Sequence, residues 1–355
     1  MIGYGTGWMR MTTVLQAFLL IKTVHGLCTT GCGQVPVVQT FTGVISNNLV
    51  IPGSGNECYV INGTHISGSV EVWGGARLVV QSATISGSIE ASGAPTSVSL
   101  ESATVTGDVT MSNGAGALCV DDDTTTGVLI VEESGSVRVE GTVSSVEVVL
   151  STGNIELVGA NVLGRVSVTE TTGDLVINSQ SSVGGPIGVA NGTGNVMVSD
   201  VNLNQVDLRV EEQDGDVIIQ SASLSDILVE KSTTTMATIS LVSVTTMDDT
   251  KLNQNTGANV FLAGCTIGGD TLIAKNGDVH IEDSDFFGKI LENSGAVTIT
   301  SCNFSNLSVA MNTGGVTIDY NTGGILDCFN NVQPPTGTGN TITSLNCGSF
   351  VARRI

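Results

Sequence analysis

The chain is built from short segments in which apolar residues recur at every second position. In one such stretch Val217 and Ile219 alternate with their neighbours, Leu224 follows a short polar corner, and Ile227 and Val229 alternate again. Alternation with a period of two predicts β-strands with one face buried, and runs this short predict short strands. The pattern therefore indicates pairs of short strands joined by polar corners.

This pattern is an internal repeat whose copies begin at glycines 18 to 21 residues apart. Such a repeat is too short for a propeller blade and lacks the leucine-rich consensus of horseshoe repeats, so each copy predicts one coil of a stack. About 12 or 13 copies stacked about 4.8 Å apart would make a rod roughly 60 Å long. The copies begin at Gly116, Gly135, Gly153, Gly173, Gly194, Gly215, Gly277, Gly295 and Gly315, with looser copies near Gly75, Gly93, Met236 and Gly257.

The recurring sequence Gly-Asp-Val-x-Ile-x-x-Ser-x-Leu/Phe resembles the parallel β-helix of the pectate-lyase-like superfamily over residues 66–320. The resemblance implies an all-β fold, a single-stranded right-handed parallel β-helix or β-solenoid. That superfamily includes polysaccharide lyases and hydrolases, adhesins, viral tailspikes and assembly proteins. Membership of the fold therefore does not choose among these functions.

The composition agrees with a strand-rich fold. The chain has 355 residues, of which 45 are Gly, 4% are aromatic and 13% are charged, and its mean hydropathy is +0.30. Disordered chains combine low hydrophobicity with high charge, which this chain does not. Val, Ile, Thr and Ser are abundant and strong helix formers are scarce, so helix bundles and doubly wound folds are not expected.

The N-terminal segment has the layout of a secretory signal peptide. Arg10 precedes an apolar run over residues 14–21, and small or polar residues continue to Gly26. The run is too short to span a bilayer, so we expect residues 1–26 to be removed on secretion. Met9 and Met11 remain alternative start positions. The mature chain is expected to have no transmembrane anchor and to be secreted or associated with a surface.

Two segments outside the repeat are predicted to cap the stack. Residues 27–65 form the N-terminal cap and residues 321–355 the C-terminal cap, with the parallel β-helix between them at 66–320. An open solenoid end exposes unpaired strand edges, so atypical end segments are needed to prevent stacking of one rod on another.

Eight cysteines fit an oxidising compartment, where disulfides form. Cys265 and Cys302 occupy similar positions two coils apart, which is roughly 10 Å and beyond disulfide reach, so we predict buried thiols. The candidate disulfide residues lie in the caps and are Cys328, Cys347, Cys32 and Cys58, with Cys28 as an alternative partner for Cys58.

The charge balance is strongly acidic. The chain has 12 basic and 33 acidic residues and a formal net charge of −21. Nucleic acid and anionic lipid both require clustered Lys and Arg, so neither is an expected partner. A large negative field suits a soluble surface that repels its own copies or one that collects cations.

The residue after the repeat glycine forms a second column, which reads Asn154, Asp174, Asn195 and Asp216 on consecutive coils. Gly-Asn and Gly-Asp suit tight corners, and this interpretation needs no ligand. The alternative is a Ca²⁺-binding stripe, because acids on successive coils could share a hard ion. Two further acidic clusters, at residues 121–123 and 248–249, leave the same two interpretations open. No other metal site or cofactor is expected.

The sequence offers little for catalysis. Only His65 and His280 survive signal removal, and alternation points His280 outward. The best mixed-charge cluster could supply paired carboxylates for glycoside hydrolysis or could be ion pairs that bridge coils. Its members are Arg209, Glu211, Glu212, Glu230 and Lys231.

The sequence therefore predicts a secreted, acidic β-helix glycoprotein that serves as a non-enzymatic structural or adhesive element of a cell envelope, matrix or virion. Its expected partners are itself, other surface proteins or glycans. The alternatives are a carbohydrate-active enzyme, either a polysaccharide lyase or a glycoside hydrolase, a lectin of the same fold, and a filament subunit that joins through its end coils. The candidate glycosylation sites have the Asn-x-Ser/Thr pattern and are Asn62, Asn191, Asn303 and Asn306.

Overall fold

A computed structural model describes residues 35–53, 57–93, 97–114, 116–178, 180–203, 205–232, 237–348 and 351–352. Over these residues the chain is a parallel β-solenoid of about 15 turns, with repeats of about 20 residues and no helix. The predicted parallel β-helix is confirmed. The predicted signal segment, together with Cys28 and Cys32, lies outside the described residues.

The strands are short and follow one another along the chain. In chain order they are β1 Val37–Ile45, β2 Leu49–Pro52, β3 Cys58–Ile66, β4 Val70–Trp73, β5 Arg77–Gln81, β6 Thr84–Ile85, β7 Ile89–Ser92, β8 Ser97–Glu101, β9 Thr104–Val105, β10 Val109–Ser112, β11 Leu118–Val120, β12 Thr125–Glu132, β13 Val137–Val139, β14 Thr142–Val149, β15 Ile155–Val158, β16 Asn161–Val162, β17 Val166–Thr169, β18 Leu175–Asn178, β19 Ser182–Val183, β20 Ile187–Ala190, β21 Val196–Leu203, β22 Leu208–Glu211, β23 Val217–Leu224, β24 Ile227–Glu230, β25 Thr238–Val242, β26 Thr245–Thr246, β27 Thr250–Asn253, β28 Asn259–Ala263, β29 Thr266–Ala274, β30 Val279–Glu282, β31 Asp285–Leu291, β32 Val297–Thr300, β33 Asn303–Ala310, β34 Val316–Asp319, β35 Thr322–Phe329, β36 Thr336–Gly337, β37 Thr341–Cys347 and β38 Val351–Ala352.

Each turn contributes to three faces of the solenoid, which we call A, B and C. In the turn that begins at Val217, residues 217–220 lie on face A, residues 223–224 on face B and residues 227–230 on face C. Each segment pairs in parallel with its counterpart in the next turn, so that Ile219 faces Leu241 on face A, Leu224 faces Thr246 on face B and Val229 faces Leu252 on face C. Side chains at equivalent positions therefore form columns along the rod.

Inward side chains fill a single apolar core. Val217, Ile219, Ile227 and Val229 are at most 2% exposed, whereas the residues between them are partly exposed. Burying a Val or Ile side chain stabilises a fold by roughly 1.5–3 kcal/mol, so the alternating pattern is the main source of stability.

The repeat glycine is required by the close approach of neighbouring turns. A Cβ atom on Gly194 would lie 2.0 Å from the carbonyl oxygen of Gly173, and one on Gly215 would lie 2.0 Å from that of Gly194. Real Cβ atoms do not approach a backbone oxygen this closely, so a residue without a side chain is needed where the turns touch.

The parallel strand pairing of the solenoid extends beyond residues 66–320 in both directions. Strand β1 pairs with β3 from Val37 to Ile45, and β37 pairs with β35 as far as Cys347. The segments predicted as caps thus contain solenoid turns of their own, which is why the structure has more turns than the 12 or 13 counted from the sequence. Most copies have a glycine two residues before the face A strand, but Val35 stands there before β1, so the sequence pattern does not extend the repeat to β1.

Polar residues inside the core close one corner of the later turns. Asn255, Asn276, Asn293 and Asn312 are fully or almost fully buried and stack on one another. The Nδ2 atom of each donates to the Oδ1 atom of the next, over 3.1, 3.3 and 3.1 Å. Their amides also bond the backbone where the chain turns from face C to face A, for example from Asn293 Nδ2 to the carbonyl oxygen of Ile273 over 3.2 Å. The stacked asparagines provide hydrogen bonds to buried backbone groups that the strands leave free.

Candidate functional site

The mixed-charge cluster lies on face C, where the structure brings most of its predicted members together. Arg209 donates to Glu211 within β22, with an Nε to Oε1 distance of 2.8 Å. Glu211 is paired in register with Glu230 of β24. The Nζ atom of Lys231 lies 3.4 Å from Oε1 of Glu230. The cluster is therefore a set of ion pairs along and between two turns.

The electrostatics of this cluster do not suit a general acid. The hydrogen bond from Arg209 is the main cause that lowers the pKa of Glu211, and the same bond raises the pKa of Arg209. A carboxyl group that donates a proton near neutral pH needs a raised pKa. Glu211 is thus held as a carboxylate.

Glu212 belongs to a different surface from Glu211. Its backbone is in the left-handed region, with φ of 51°, so its side chain points away from face C at the corner. There it lines a shallow depression of about 390 Å³ with Asp214, Lys231 and residues 191–193. Carboxylates, an ammonium group and a candidate glycosylation site meet in this depression.

The column of Asn and Asp residues after the repeat glycines serves the backbone. Oδ1 of Asn154 accepts from the backbone N–H of Asp174 over 3.2 Å, and Oδ1 of Asp174 accepts from Asn195 over 2.8 Å. Oδ1 of Asn195 accepts from Asp216 over 2.9 Å, and Oδ1 of Asp216 accepts from Thr238 over 2.7 Å. Each side chain therefore closes the corner of a neighbouring turn.

The acidic cluster at residues 121–123 includes a similar cap. Both carboxylate oxygens of Asp121 accept from the backbone N–H of Ser102 over 3.0 Å, and Oδ1 also accepts from the Thr124 hydroxyl over 2.6 Å. Asp122 and Asp123 are exposed. Within the described ranges, no group of three or more His, Cys, Asp or Glu side chains is placed to hold a metal ion.

A column of four acids, which was not predicted from the sequence, lies at the corner before face C. Asp207, Asp226, Asp249 and Asp270 directly precede strand positions that pair in register on consecutive turns. Oδ1 of Asp226 accepts from the N–H of Asp249 over 2.7 Å, and Oδ1 of Asp249 accepts from that of Asp270 over 3.0 Å. The intervals between these acids vary because the turns differ in length, so only alignment on the strands of face C could have revealed the column.

The acids of this column have different surroundings. Burial is the main cause that raises the pKa of Asp226, and the negative charges of Asp207, Asp248 and Asp249 act in the same direction. Lys251, whose Nζ atom lies 2.9 Å from Oδ2 of Asp249, is the main cause that lowers the pKa of Asp249.

The cysteines fall into two groups. Cys328 and Cys347 form a disulfide between paired positions of β35 and β37, with a Cα to Cα distance of 4.5 Å. Cys58 and Cys119 are also disulfide-bonded, and the predicted partners of Cys58 lie outside the described residues.

Cys265 and Cys302 are free and buried, as predicted. Burial raises the pKa of both thiols, and that of Cys302 reaches about 11. Since the thiolate is the reactive form, neither is a candidate nucleophile.

His280 points outward, as strand alternation predicts. Its ring stacks on that of Phe261 with centroids 5.4 Å apart, and Nε2 lies 3.1 Å from Oε2 of Glu282. His65 is exposed on β3. The two histidines lie on different faces, His280 on A and His65 on B.

All four candidate glycosylation sites are accessible. Asn62, Asn191, Asn303 and Asn306 are each exposed, and they lie on strands or corners of the outer surface. None of the described residues forms a helix with the length and hydropathy of a membrane span.

Comparison of the chain with protein-family models, with curated proteins and with solved structures finds no match.

Proposed function

We propose that this protein is a secreted, acidic β-helix glycoprotein that acts through its outer surface as a structural or adhesive element and not as an enzyme. Such a rod would stand on a cell envelope, in a matrix or on a virion, and would contact copies of itself, other surface proteins or glycans.

The observation that carries this proposal is that the ionisable side chains form hydrogen bonds and ion pairs within the solenoid. The acids of the two corner columns accept hydrogen bonds from the backbone of neighbouring turns. Six basic side chains among the described residues pair with acids beside them. The ion pairs are Arg138 with Glu140 and Glu156, Arg165 with Glu147, Arg209 with Glu211, Lys231 with Glu230, Lys251 with Asp249 and Lys275 with Glu292.

Because acids outnumber bases, this pairing leaves a large surplus of negative charge on the surface. Such a surplus keeps copies of a protein soluble and apart in free solution. A structural or adhesive role would then depend on surfaces where the charge is absent or is neutralised by a cation.

Secretion is supported by independent features of the chain. The segment 1–26 has the layout of a signal peptide, the described residues contain a disulfide, and four accessible asparagines stand in acceptor sequences. Disulfides and N-linked glycans both form in the secretory pathway.

Secretion is tested by expressing the chain from Met1 in eukaryotic cells and recovering it from the medium. We expect an N-terminus at Leu27 and a mass that falls on treatment with an N-glycosidase. Asn191→Gln should remove one step of that mass difference, whereas Asn202→Gln, at an exposed asparagine outside any acceptor sequence, should leave it unchanged. A chain that stays inside the cells with residues 1–26 attached would contradict the proposal.

Electron microscopy of the secreted protein separates the two forms of the proposal. At about 4.8 Å per turn, about 15 turns give single rods about 70 Å long. Filaments or regular oligomers would favour the structural form. Isolated rods would favour adhesion and would make a glycan array the next experiment.

A carbohydrate-active enzyme or a lectin is the second candidate function. The depression lined by Glu212, Asp214 and Lys231 favours it, because paired carboxylates and polar groups are the usual means of holding a sugar and cleaving its glycosidic bond.

A further inference from the structure

The first and last turns of the solenoid each contain strands that are paired along one edge. Among the residues that the structure describes, β1 and β2 pair only with β3 and β4 of the second turn. At the opposite end of the rod, β37 pairs only with β35. The outer edges of these strands carry backbone N–H and C=O groups to which a further parallel strand can bond.

The apolar core reaches the surface at the first turn. Ile45 on face B and Leu49 on face C pack against the core and are only partly buried. Their register partners in the second turn, Ile66 and Val70, are fully buried, because a turn lies on either side of them. The first turn therefore presents inward-facing apolar side chains that a further turn would cover.

The last turn presents the same kind of surface. Leu345 on face C is 48% exposed, whereas its register partner Leu326 in the preceding turn is fully buried. Ile342 on face B packs against the core and is also only partly buried. Covering apolar area of this kind with another apolar surface favours association.

The exposed side chains of the two ends belong to the same columns. On face C the register can be followed from Leu49 through every turn to Leu345. Ile45 and Ile342 occupy the inward position of face B in the same two turns. A first turn stacked about 4.8 Å beyond a last turn would thus place Leu49 on Leu345 and Ile45 on Ile342.

Neither end turn carries a charged side chain. Residues 26–56 and 328–352 contain no Asp, Glu, Lys or Arg, although the chain has a formal net charge of −21. Charged side chains are one means by which natural edge strands avoid pairing with other chains, and these edges lack it. The sides of the rod do carry acids, such as Glu71 and Glu90 on face C. Contact between copies along their sides brings like charges together, whereas contact between their ends does not.

The polarity of the strands selects how two ends can meet. Every strand pairing in the described solenoid is parallel, and only contact between a first turn and a last turn continues both this pairing and the columns. The contact depends on faces B and C, because the pairing of β1 with β3 on face A contains register shifts. Each added copy presents a new end, so the contact repeats without closing.

We propose that copies of this protein associate end to end, with the first turn of one copy stacked on the last turn of another. Parallel strand pairing and the burial of Ile45, Leu49, Ile342 and Leu345 hold the two copies together. The inference rests on the proposed function, of which it specifies the structural form and names a second copy of the chain as the partner.

Two substitutions block opposite ends of the rod. Leu345→Lys places an ammonium group at the inward position of the last turn, and Leu49→Lys does so in the first turn. Burying an unpaired charge in the contact opposes association, whereas in a single copy both positions are partly exposed. The matched controls are Asn346→Lys and Val50→Lys, at exposed outward positions of the same strands. Circular dichroism and thermal unfolding check that all four variants fold.

The test is sedimentation velocity of the purified mature chain, residues 27–355, over a concentration series, with electron microscopy of the same samples. We expect the natural chain and both controls to form particles with the width of one rod and lengths in multiples of about 70 Å. Each blocked variant alone should need a concentration at least about tenfold higher to associate. An equal mixture of the two blocked variants should form dimers and nothing longer, because it offers one unblocked first turn and one unblocked last turn.

Several results would overturn the inference. Single rods of the natural chain at every concentration would do so and would leave the adhesive form of the proposed function in place. Rods that join by their sides, or association that both blocked variants retain, would also overturn it. If a blocked variant does not fold, Ile45→Lys or Ile342→Lys blocks the same end on face B. The proposed function itself fails by a different result, which is cleavage of a polysaccharide by the natural chain.

Discussion

At the scale of single residues, a side-chain oxygen of Asn or Asp accepts a backbone hydrogen bond at a corner of the turn. Whether that side chain is neutral or charged affects the stability of the fold. In the column that starts at Asn154, amides and carboxylates alternate, so neighbouring charges are separated by a neutral residue. In the column Asp207, Asp226, Asp249 and Asp270, four carboxylates follow one another. The second arrangement keeps the same hydrogen bonds but adds repulsion between like charges.

This repulsion makes Asp226→Asn a stabilising change at neutral pH. Asparagine keeps the Oδ1 atom that accepts from the N–H of Asp249 and removes the charge that faces Asp207, Asp248 and Asp249. We expect a gain of about 0.5 kcal/mol in the free energy of unfolding, measured by urea denaturation. The raised pKa of Asp226 means that its cost is present above the folded-state pKa and disappears once the pH falls below the unfolded value. The gain should therefore vanish in acid.

Asp249→Asn is the matched comparison, because Lys251 lowers the pKa of Asp249. A lowered pKa means that the charge stabilises the fold above the unfolded-state value and that this stability is lost as the pH falls through the folded-state pKa. Asp249→Asn should thus reduce stability at neutral pH. Equal effects of the two substitutions would show that neither depends on its charged neighbours.

At the scale of elements, the stack of Asn255, Asn276, Asn293 and Asn312 holds the later turns in register. Each amide is buried and bonds both the backbone and the next amide, so removal of one leaves several buried groups without partners.

We expect Asn293→Ala to lower the free energy of unfolding by about 2–4 kcal/mol, because it opens a cavity and orphans buried backbone groups. Denaturant titration measures the effect. Asn202→Ala, at an exposed asparagine of β21, should change it by less than about 0.5 kcal/mol. A similar small effect at both positions would contradict the structural role of the stack.

The disulfide between Cys328 and Cys347 ties the last turns together. It closes a loop with a sequence separation of 19 residues, and such a loop is worth about 3 kcal/mol in the chain-entropy account. Replacing both cysteines by alanine should therefore raise amide hydrogen exchange first in β35 and β37, as read by mass spectrometry. Cys302→Ser, at a buried free thiol, should leave exchange in these strands unchanged. Ser284 occupies the equivalent position of the preceding turn, where its hydroxyl accepts from the N–H of Cys265, so a hydroxyl fits there. If amide hydrogen exchange instead rises uniformly along the whole rod, the disulfide does not stabilise the last turns locally.

At the scale of the whole molecule, the sequence predicts the solenoid well because its determinants are local. Alternation at Val217 and Ile219 sets the buried side of a strand, and the glycine at each repeat is required where turns touch. The ends of the rod and the columns on its surface were harder to predict. Strand β1 pairs without a marker glycine, and the column through Asp226 depends on which residues the turns of unequal length bring into register.

The same reasoning explains why the candidate sites were only partly predicted. The cluster around Arg209 was found because its residues are close in sequence, yet the sequence could not show that Glu212 turns away from Glu211 at the corner.

The central claim, that this protein acts through its surface without catalysis, is tested most directly by polysaccharide turnover. The mature secreted chain is incubated with a broad panel of neutral and acidic polysaccharides, and new reducing ends and unsaturated products are measured. A variant with Arg209→Ala, Glu212→Ala and Lys231→Ala is compared in parallel. We expect no product from either protein. Products formed by the natural chain and lost in the folded variant would contradict the account and would identify the depression beside Glu212 as an active site.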